Sequence, residues 1–144
     1  MSAPVIVPKP WGYETIFANF AEQNYCGKKL VVTRNHRISM QRHFKKHETF
    51  YVLRGEAYVE FGLPGTAEYH CTWYTTGDVC HVPPGQWHRL SAPNGDVHVI
   101  EASTFHADDD IERHEIGGYV PCLATFCVGA RQSAGSCEIP AKLK

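Results

Sequence analysis

Nowhere in the 144 residues does an apolar run approach the roughly 18 needed for a membrane helix, so no membrane span is expected. Charge of one sign is also missing. Fourteen Lys and Arg against 15 Asp and Glu leave a formal net charge of -1, which removes any global electrostatic argument for nucleic acid or an anionic membrane as partner. Met1 to Pro10 shows no basic stretch followed by an apolar core, so a secretory leader is not expected and the reading is cytoplasmic. The six cysteines (Cys26, Cys71, Cys80, Cys122, Cys127 and Cys137) contain no C-x-x-C pair, and the Cys122 to Cys127 spacing has no partner pair elsewhere. Structural zinc and a disulfide framework therefore give way to reduced, mostly buried thiols. No window of a dozen residues carries a 3.6-residue apolar period, and no repeat of solenoid length is present.

What is present is β signal. Hydrophobic residues make up 43% of the chain and aromatics 12%, enough for one domain with a sizeable core. Short segments rich in β-branched and aromatic residues recur at Lys29–Thr33, Phe50–Leu53, Ala57–Phe61, Tyr69–Tyr74 and Val97–Glu101. Turn signals separate them at Arg54-Gly55-Glu56, Leu63-Pro64-Gly65, Thr76-Gly77-Asp78, Pro83-Pro84-Gly85 and Pro93-Asn94-Gly95. Many short strands at regular spacing predict an all-β sandwich or barrel, a jelly roll among them. One domain over 1–144 is expected, with a barrel core over about 25–106. A proline-bearing extended arm over 1–13 and an irregular tail over 117–144 flank it.

Nine histidines are the unusual feature, and position selects among them. On a strand, residues two apart share a face, so in Ile38-Ser39-Met40-Gln41-Arg42-His43 the side chains of Gln41 and His43 point one way and Arg42 the other. A short connection, Phe44 to His47, leads to Glu48 at the start of the next strand. Gly77 to His88 then reads as a strand, a Pro-Gly turn and a new strand bearing His88. Two imidazoles, a carboxylate and an amide oxygen form a set suited to one divalent transition metal: Zn first, with Mn, Fe, Co or Ni as alternatives.

These residues resemble the cupin superfamily. Its second motif (Gly, five residues, Pro-x-Gly, two residues, His) is matched by Gly77, Pro83, Gly85 and His88. Its first is matched at His43, Glu48 and Gly55, with Gln41 standing where that motif has its first His. Gln-x-His there is similar to mannose-6-phosphate isomerases, including the cupin domain that ends the bifunctional type II enzymes. Lys9-Pro10-Trp11-Gly12-Tyr13-Glu14, Arg37-Ile38-Ser39-Met40-Gln41, Val99-Ile100-Glu101 and Asp109-Asp110-Ile111-Glu112-Arg113 extend the likeness over roughly residues 8–115. The resemblance implies a double-stranded β-helix barrel with metal held by Gln41, His43, Glu48 and His88. It also implies a homodimer and isomerisation of a hexose phosphate such as mannose 6-phosphate. The 144 residues hold no segment resembling the bifunctional enzymes' nucleotidyltransferase domain, so sugar-nucleotide synthesis is not expected.

Isomerising a sugar phosphate needs a phosphate clamp and a proton shuttle. By strand parity Arg42 and Arg89 point outward, whereas Arg37 shares the face of Gln41 and His43; Arg113 belongs to the segment that would fold over the barrel mouth. Glu101, on the strand pattern of Val99, is the candidate base. Parity turns His47 away from the metal, and His36, His70, His81, His98, His106 and His114 are read as structural or surface residues. The Trp11-Gly12-Tyr13 stretch reads as a packing anchor, and Phe50, Val52, Phe61 and Leu90 as barrel lining. Two other function classes stay open: a mononuclear iron dioxygenase built on His43, Glu48 and His88, and a metal-containing cupin that binds a sugar without turnover.

Overall fold

In a computed structural model that describes residues 2–127, thirteen strands and one short helix follow the turn signals of the sequence. The strands are β1 (Val5–Lys9), β2 (Gly12–Phe20), β3 (Tyr25–Val32), β4 (His36–Arg37), β5 (Met40–Arg42), β6 (Glu48–Arg54) and β7 (Glu56–Phe61). They continue as β8 (His70–Thr75), β9 (Val79–Val82), β10 (His88–Ala92), β11 (Val97–Ser103), β12 (Glu112–Glu115) and β13 (Gly118–Tyr119), before helix α1 (Leu123–Cys127). One sheet runs β1-β2-β3-β11-β6-β9; the other runs β12-β5-β10-β4-β13, with β7 joined to β10 and β8 to β7. All pairings are antiparallel, and the two sheets face each other as a jelly-roll barrel of the cupin type.

The interior changes character along its length. Inward positions of three neighbouring strands and of β10 in the facing sheet run from apolar to charged: Val32, Leu30 and Lys28 on β3; Val97, Val99 and Glu101 on β11; Val52, Phe50 and Glu48 on β6; Ala92, Leu90 and His88 on β10. The registers align them, with Leu30 opposite Val99, Lys28 opposite Glu101 and Val99 opposite Val52. The apolar side chains pack in one cluster with Trp11, Ile38, Val59 and Phe61. Each such side chain contributes about 1.5–3 kcal/mol by burial, which holds the frame against the cost of the charged end.

The first 13 residues, expected as an extended arm, include β1, which folds back on β2 with Lys9 opposite Gly12 and so becomes an edge strand of the six-stranded sheet. Gly12 has a φ of +147°, and a Cβ there would meet the Val31 carbonyl oxygen at 1.9 Å. Only glycine lets the hairpin lie this close to β3. Of the expected tail over 117–144, Gly118–Tyr119 pairs with β4 and α1 packs Leu123 and Cys127 against Tyr58; residues 128–144, with Cys137, lie outside the described residues. The five other cysteines are free thiols, and Cys26, Cys80 and Cys127 are buried. No helix among the described residues is long and apolar enough to cross a membrane.

Candidate metal centre

At the charged end of the barrel, strand order brings three donors to one point. His43 follows β5, Glu48 opens β6 and His88 opens β10, and one donor atom of each lies within 4.8 Å of the others. All three side chains are buried. The Pro-Gly turn sets His88 beside its partner motif: Gly85, at φ +82°, donates its N–H to the His43 carbonyl at 2.6 Å. The register places His88 directly across from Gln41.

Both imidazoles are oriented by the backbone. His43 Nδ1–H donates to the Asp110 carbonyl at 2.6 Å, and His88 Nδ1–H to that of Gln86 at 3.0 Å. A carbonyl can only accept, so in the neutral rings each Nε2 carries a lone pair. Those two Nε2 atoms and Glu48 Oε2 are buried without a hydrogen-bond partner. His88 Nε2 lies 3.2 Å from Glu48 Oε2, but misaligned, so the approach is charge proximity rather than a hydrogen bond. Three electron-rich atoms held together in a dry site repel one another unless a cation or protons stand between them. The donor set therefore fits a divalent metal, with the backbone partners supplying the orientation that metal-bound histidines ordinarily have.

In the absence of a cation the same geometry binds protons. Burial opposes charge on His88, but nearby Glu48 outweighs it and raises the imidazole. Glu48 is buried, which pushes its pKa up, yet His88, Lys46 and His43 together hold it well below the ordinary carboxylate range. His43 is lowered, chiefly by burial. Metal entry at this site replaces protons.

Gln41 is half-buried beside the three donors, and its amide oxygen accepts the Ser39 hydroxyl at 2.5 Å. An amide oxygen has a second lone pair, so Gln41 retains capacity toward a metal or its bound ligand. His43 and Glu48 open onto a cavity of about 980 Å³ lined also by Glu101, Lys28, Lys46, His106 and Arg113. Its size is that of small-molecule sites.

Glu101 lies on the inner face, in the cavity wall. Its Oε2 accepts Lys46 Nζ at 2.7 Å and the Ser103 hydroxyl at 2.8 Å. Arg113 sits exposed at the rim, on β12 across from Gln41. Arg37 is a correction. It is buried but does not line the cavity; its guanidinium pairs with Glu115 at 2.6 Å. Strand parity does not carry from Arg37 to Gln41, because Ile38 and Ser39 interrupt the ladder between β4 and β5 and both of these consecutive residues face the cavity. Arg89 does leave the barrel interior, yet it is buried too. It binds Glu60 through Nε at 2.7 Å and Nη2 at 2.9 Å, and Glu115 at 3.0 Å, and Val120 and α1 pack against Tyr58 on that outer face. Arg42 stacks over Phe44 and Trp87 and pairs with Glu112. His47 is exposed.

Sequence reasoning missed three residues. Lys46, in the connection between ligands, is buried with its ammonium 2.8 Å from Glu48 Oε1 and 2.7 Å from Glu101 Oε2. Burial would lower its pKa, but the two carboxylates raise it well above the ordinary lysine value. His106, read as a structural or surface residue, lines the cavity with Nδ1 accepting from Lys46 at 3.3 Å. Its pKa is pushed down to about 4 by burial and by Lys28, Lys46 and His43. Asp110 is buried, and its carboxylate accepts the backbone N–H groups of Phe44, Lys45 and Lys46 while its carbonyl orients His43. Loop residues obey no alternation, so no sequence period could reveal these roles.

Solved structures share the fold. The capsular polysaccharide assembling protein CapF from Staphylococcus aureus matches with a TM-score of 0.68 at 16% identity, over 81% of this chain and 35% of that one. Oxalate decarboxylase from Bacillus subtilis, whose Mn(II) centers are the subject of a further structure, gives 0.65 at 13% identity over 77% and 30%. KdgF from Halomonas sp. gives 0.55 at 20% identity over 67% and 82%. The chain thus spans about a third of the first two proteins, and at these identities the likeness is one of fold. No curated protein sequence matches it. Residues 3–116 match the family model described as mannose-6-phosphate isomerase C-terminal, and by that match over most of its length the chain belongs to this family of cupin domains.

Proposed function

We propose that the protein is a metal-dependent aldose–ketose isomerase acting on a hexose phosphate such as mannose 6-phosphate. One observation carries the reading: Glu48 of the His–Glu–His donor set and a second buried carboxylate, Glu101, line one cavity and are bridged by Lys46. Isomerisation needs both parts, a centre that draws charge onto oxygen and a base that moves a proton between adjacent carbons. The family match supports the same chemistry.

His43, Glu48 and His88 would hold the ion, zinc foremost, with Gln41 as fourth ligand; bound there, a divalent metal supplies Lewis acidity to carbonyl and hydroxyl oxygens. Glu101 takes the proton from C2 of the aldose. The C2–H electrons form the C1=C2 bond, the carbonyl pair moves to O1, and O1 gains a proton. Return of the proton from Glu101 to C1, with loss of the O2 proton, gives the ketose. The net change moves one hydrogen from C2 to C1 and one from O2 to O1. Lys46 and Ser103 both bind Oε2 of Glu101, fixing the carboxylate while Oε1 keeps its lone pairs. Arg113, which lines the cavity at its rim, would meet phosphate as it enters.

The test is solvent exchange. Metal-loaded protein with mannose 6-phosphate in deuterated water is expected to give fructose 6-phosphate carrying deuterium at C1. Glu101→Gln should lower kcat by about a hundred- to ten-thousandfold with metal content unchanged. No exchange with any member of a hexose-phosphate panel would end the isomerase reading; oxygen uptake by iron-loaded protein would then favour a dioxygenase. A cytoplasmic homodimer is part of the proposal, supported by the apolar outer face on which exposed Tyr51 and Val79 are cross-strand neighbours beside Leu53. A monomeric mass by sedimentation would remove that part alone.

A further inference from the structure

Two lysines are buried in the cavity wall, and their surroundings differ. Lys46 Nζ has close partners on three sides: Glu48 at 2.8 Å, Glu101 at 2.7 Å and His106 at 3.3 Å. Lys28 on β3 is equally buried, its side chain 3% exposed, but its ammonium has one contact, to Glu14 Oε2 at 3.5 Å. That distance is the outer limit of a hydrogen bond, and Glu14 also serves Lys9 at 3.4 Å. An ammonium carries three donors, and removing it from water is costly unless other acceptors replace the water. Lys28 therefore faces the cavity with donor capacity that the protein leaves unused. By register it stands across from Glu101, so this ammonium and the proposed base are cross-strand neighbours.

Charge points the same way. Among buried lining residues, Lys28 and Lys46 oppose Glu14, Glu48 and Glu101, a formal balance of -1. A divalent ion changes that to +1, and Lys9, Arg113 and Asp108 nearer the solvent bring it to +2. A ligand bearing two negative charges close to Lys28 compensates this excess, which favours a phosphate monoester over a singly charged carboxylate.

We infer that Lys28 is the anion-recognising residue of the cavity, donating to the phosphate oxygens of the substrate, with Lys9 as an outer partner. This deepens the isomerase reading and rests on it. Lys46, bound by two carboxylates, serves instead to position Glu48 and Glu101.

The experiment is calorimetric titration of metal-loaded wild type, Lys28→Met and Lys28→Arg with mannose 6-phosphate, inorganic phosphate, glucuronate and mannose. The methionine variant should bind mannose 6-phosphate and inorganic phosphate about ten- to a hundredfold more weakly, with the arginine variant between it and wild type. Mannose binding and metal content should be unchanged in both. In phosphate-free buffer Lys28→Met should melt no lower than wild type, yet lose the rise in melting temperature that phosphate produces. Unchanged phosphate affinity in Lys28→Met overturns the assignment. Equal weakening toward mannose does so as well, since it marks a general packing role. Lys28-dependent binding of glucuronate with none of either phosphate overturns the choice of anion. Lys28-dependent phosphate binding without proton exchange would end the isomerase reading while leaving the anion site standing; exchange whose KM ignores Lys28 would do the reverse.

Discussion

Lys46 holds two carboxylates apart and in place. Its ammonium takes one oxygen of Glu48 and one of Glu101, so the oxygen that faces His88, Glu48 Oε2, keeps its lone pairs. The neighbouring His106 shows the cost of this arrangement. It accepts from Lys46 through Nδ1, and Nε2 lies 3.4 Å from Asp108, which fixes the neutral tautomer. With a pKa of about 4 in the fold against about 6.5 in an unfolded chain, His106 binds fewer protons folded than unfolded between those values. Stability contributed by the neutral ring is thus present above about pH 6.5 and lost as pH falls toward about 4. Metal-free protein should lose stability to urea over that window, and His106→Asn should show a shallower loss. Identical acid limbs for the two proteins would contradict the assignment of that proton to His106.

At the scale of elements, the connection between β5 and β6 is the part that must be exact, because it carries His43 at one end and Glu48 at the other. Asp110 organises it from outside: three backbone N–H groups of Phe44, Lys45 and Lys46 converge on one carboxylate, and the Asp110 carbonyl fixes the His43 ring. Asp110→Asn puts an NH₂ group where an acceptor was and should weaken metal binding about ten- to a hundredfold, read by chelator competition, with the circular dichroism spectrum unchanged. On the far side, Glu60 accepts two bonds from Arg89 and one from the Tyr69 hydroxyl. Glu60→Gln leaves the Arg89 charge buried with Glu115 as its carboxylate partner and should cost about 3 kcal/mol, seen as a lower urea midpoint at constant m-value. The sequence was informative where alternation holds. Glu101 shares its face with Val99, and His43 and Glu48 reach one site from either end of a short connection. It was silent where alternation stops: Arg37 is separated from Gln41 by a break in the ladder, and Lys46 and Asp110 lie in loops. Arg89 was misjudged for another reason, since parity says which side of a sheet a residue takes but not what covers that side.

For the whole molecule, the jelly roll divides its interior between stability and chemistry. One end is a hydrophobic cluster around Phe50, Val52, Leu90 and Val99; the other gathers three donor atoms, a lysine bridge and an under-satisfied ammonium around one cavity. Because the two ends share strands, occupying the polar end should stabilise the entire barrel. Metal content decides the central claim most directly. After reconstitution with zinc or manganese and removal of excess ion, elemental analysis of the wild type should find one equivalent per chain, and folded His88→Ala should hold less than about one-tenth of that. Full stoichiometry retained in His88→Ala would contradict the centre formed by His43, Glu48 and His88.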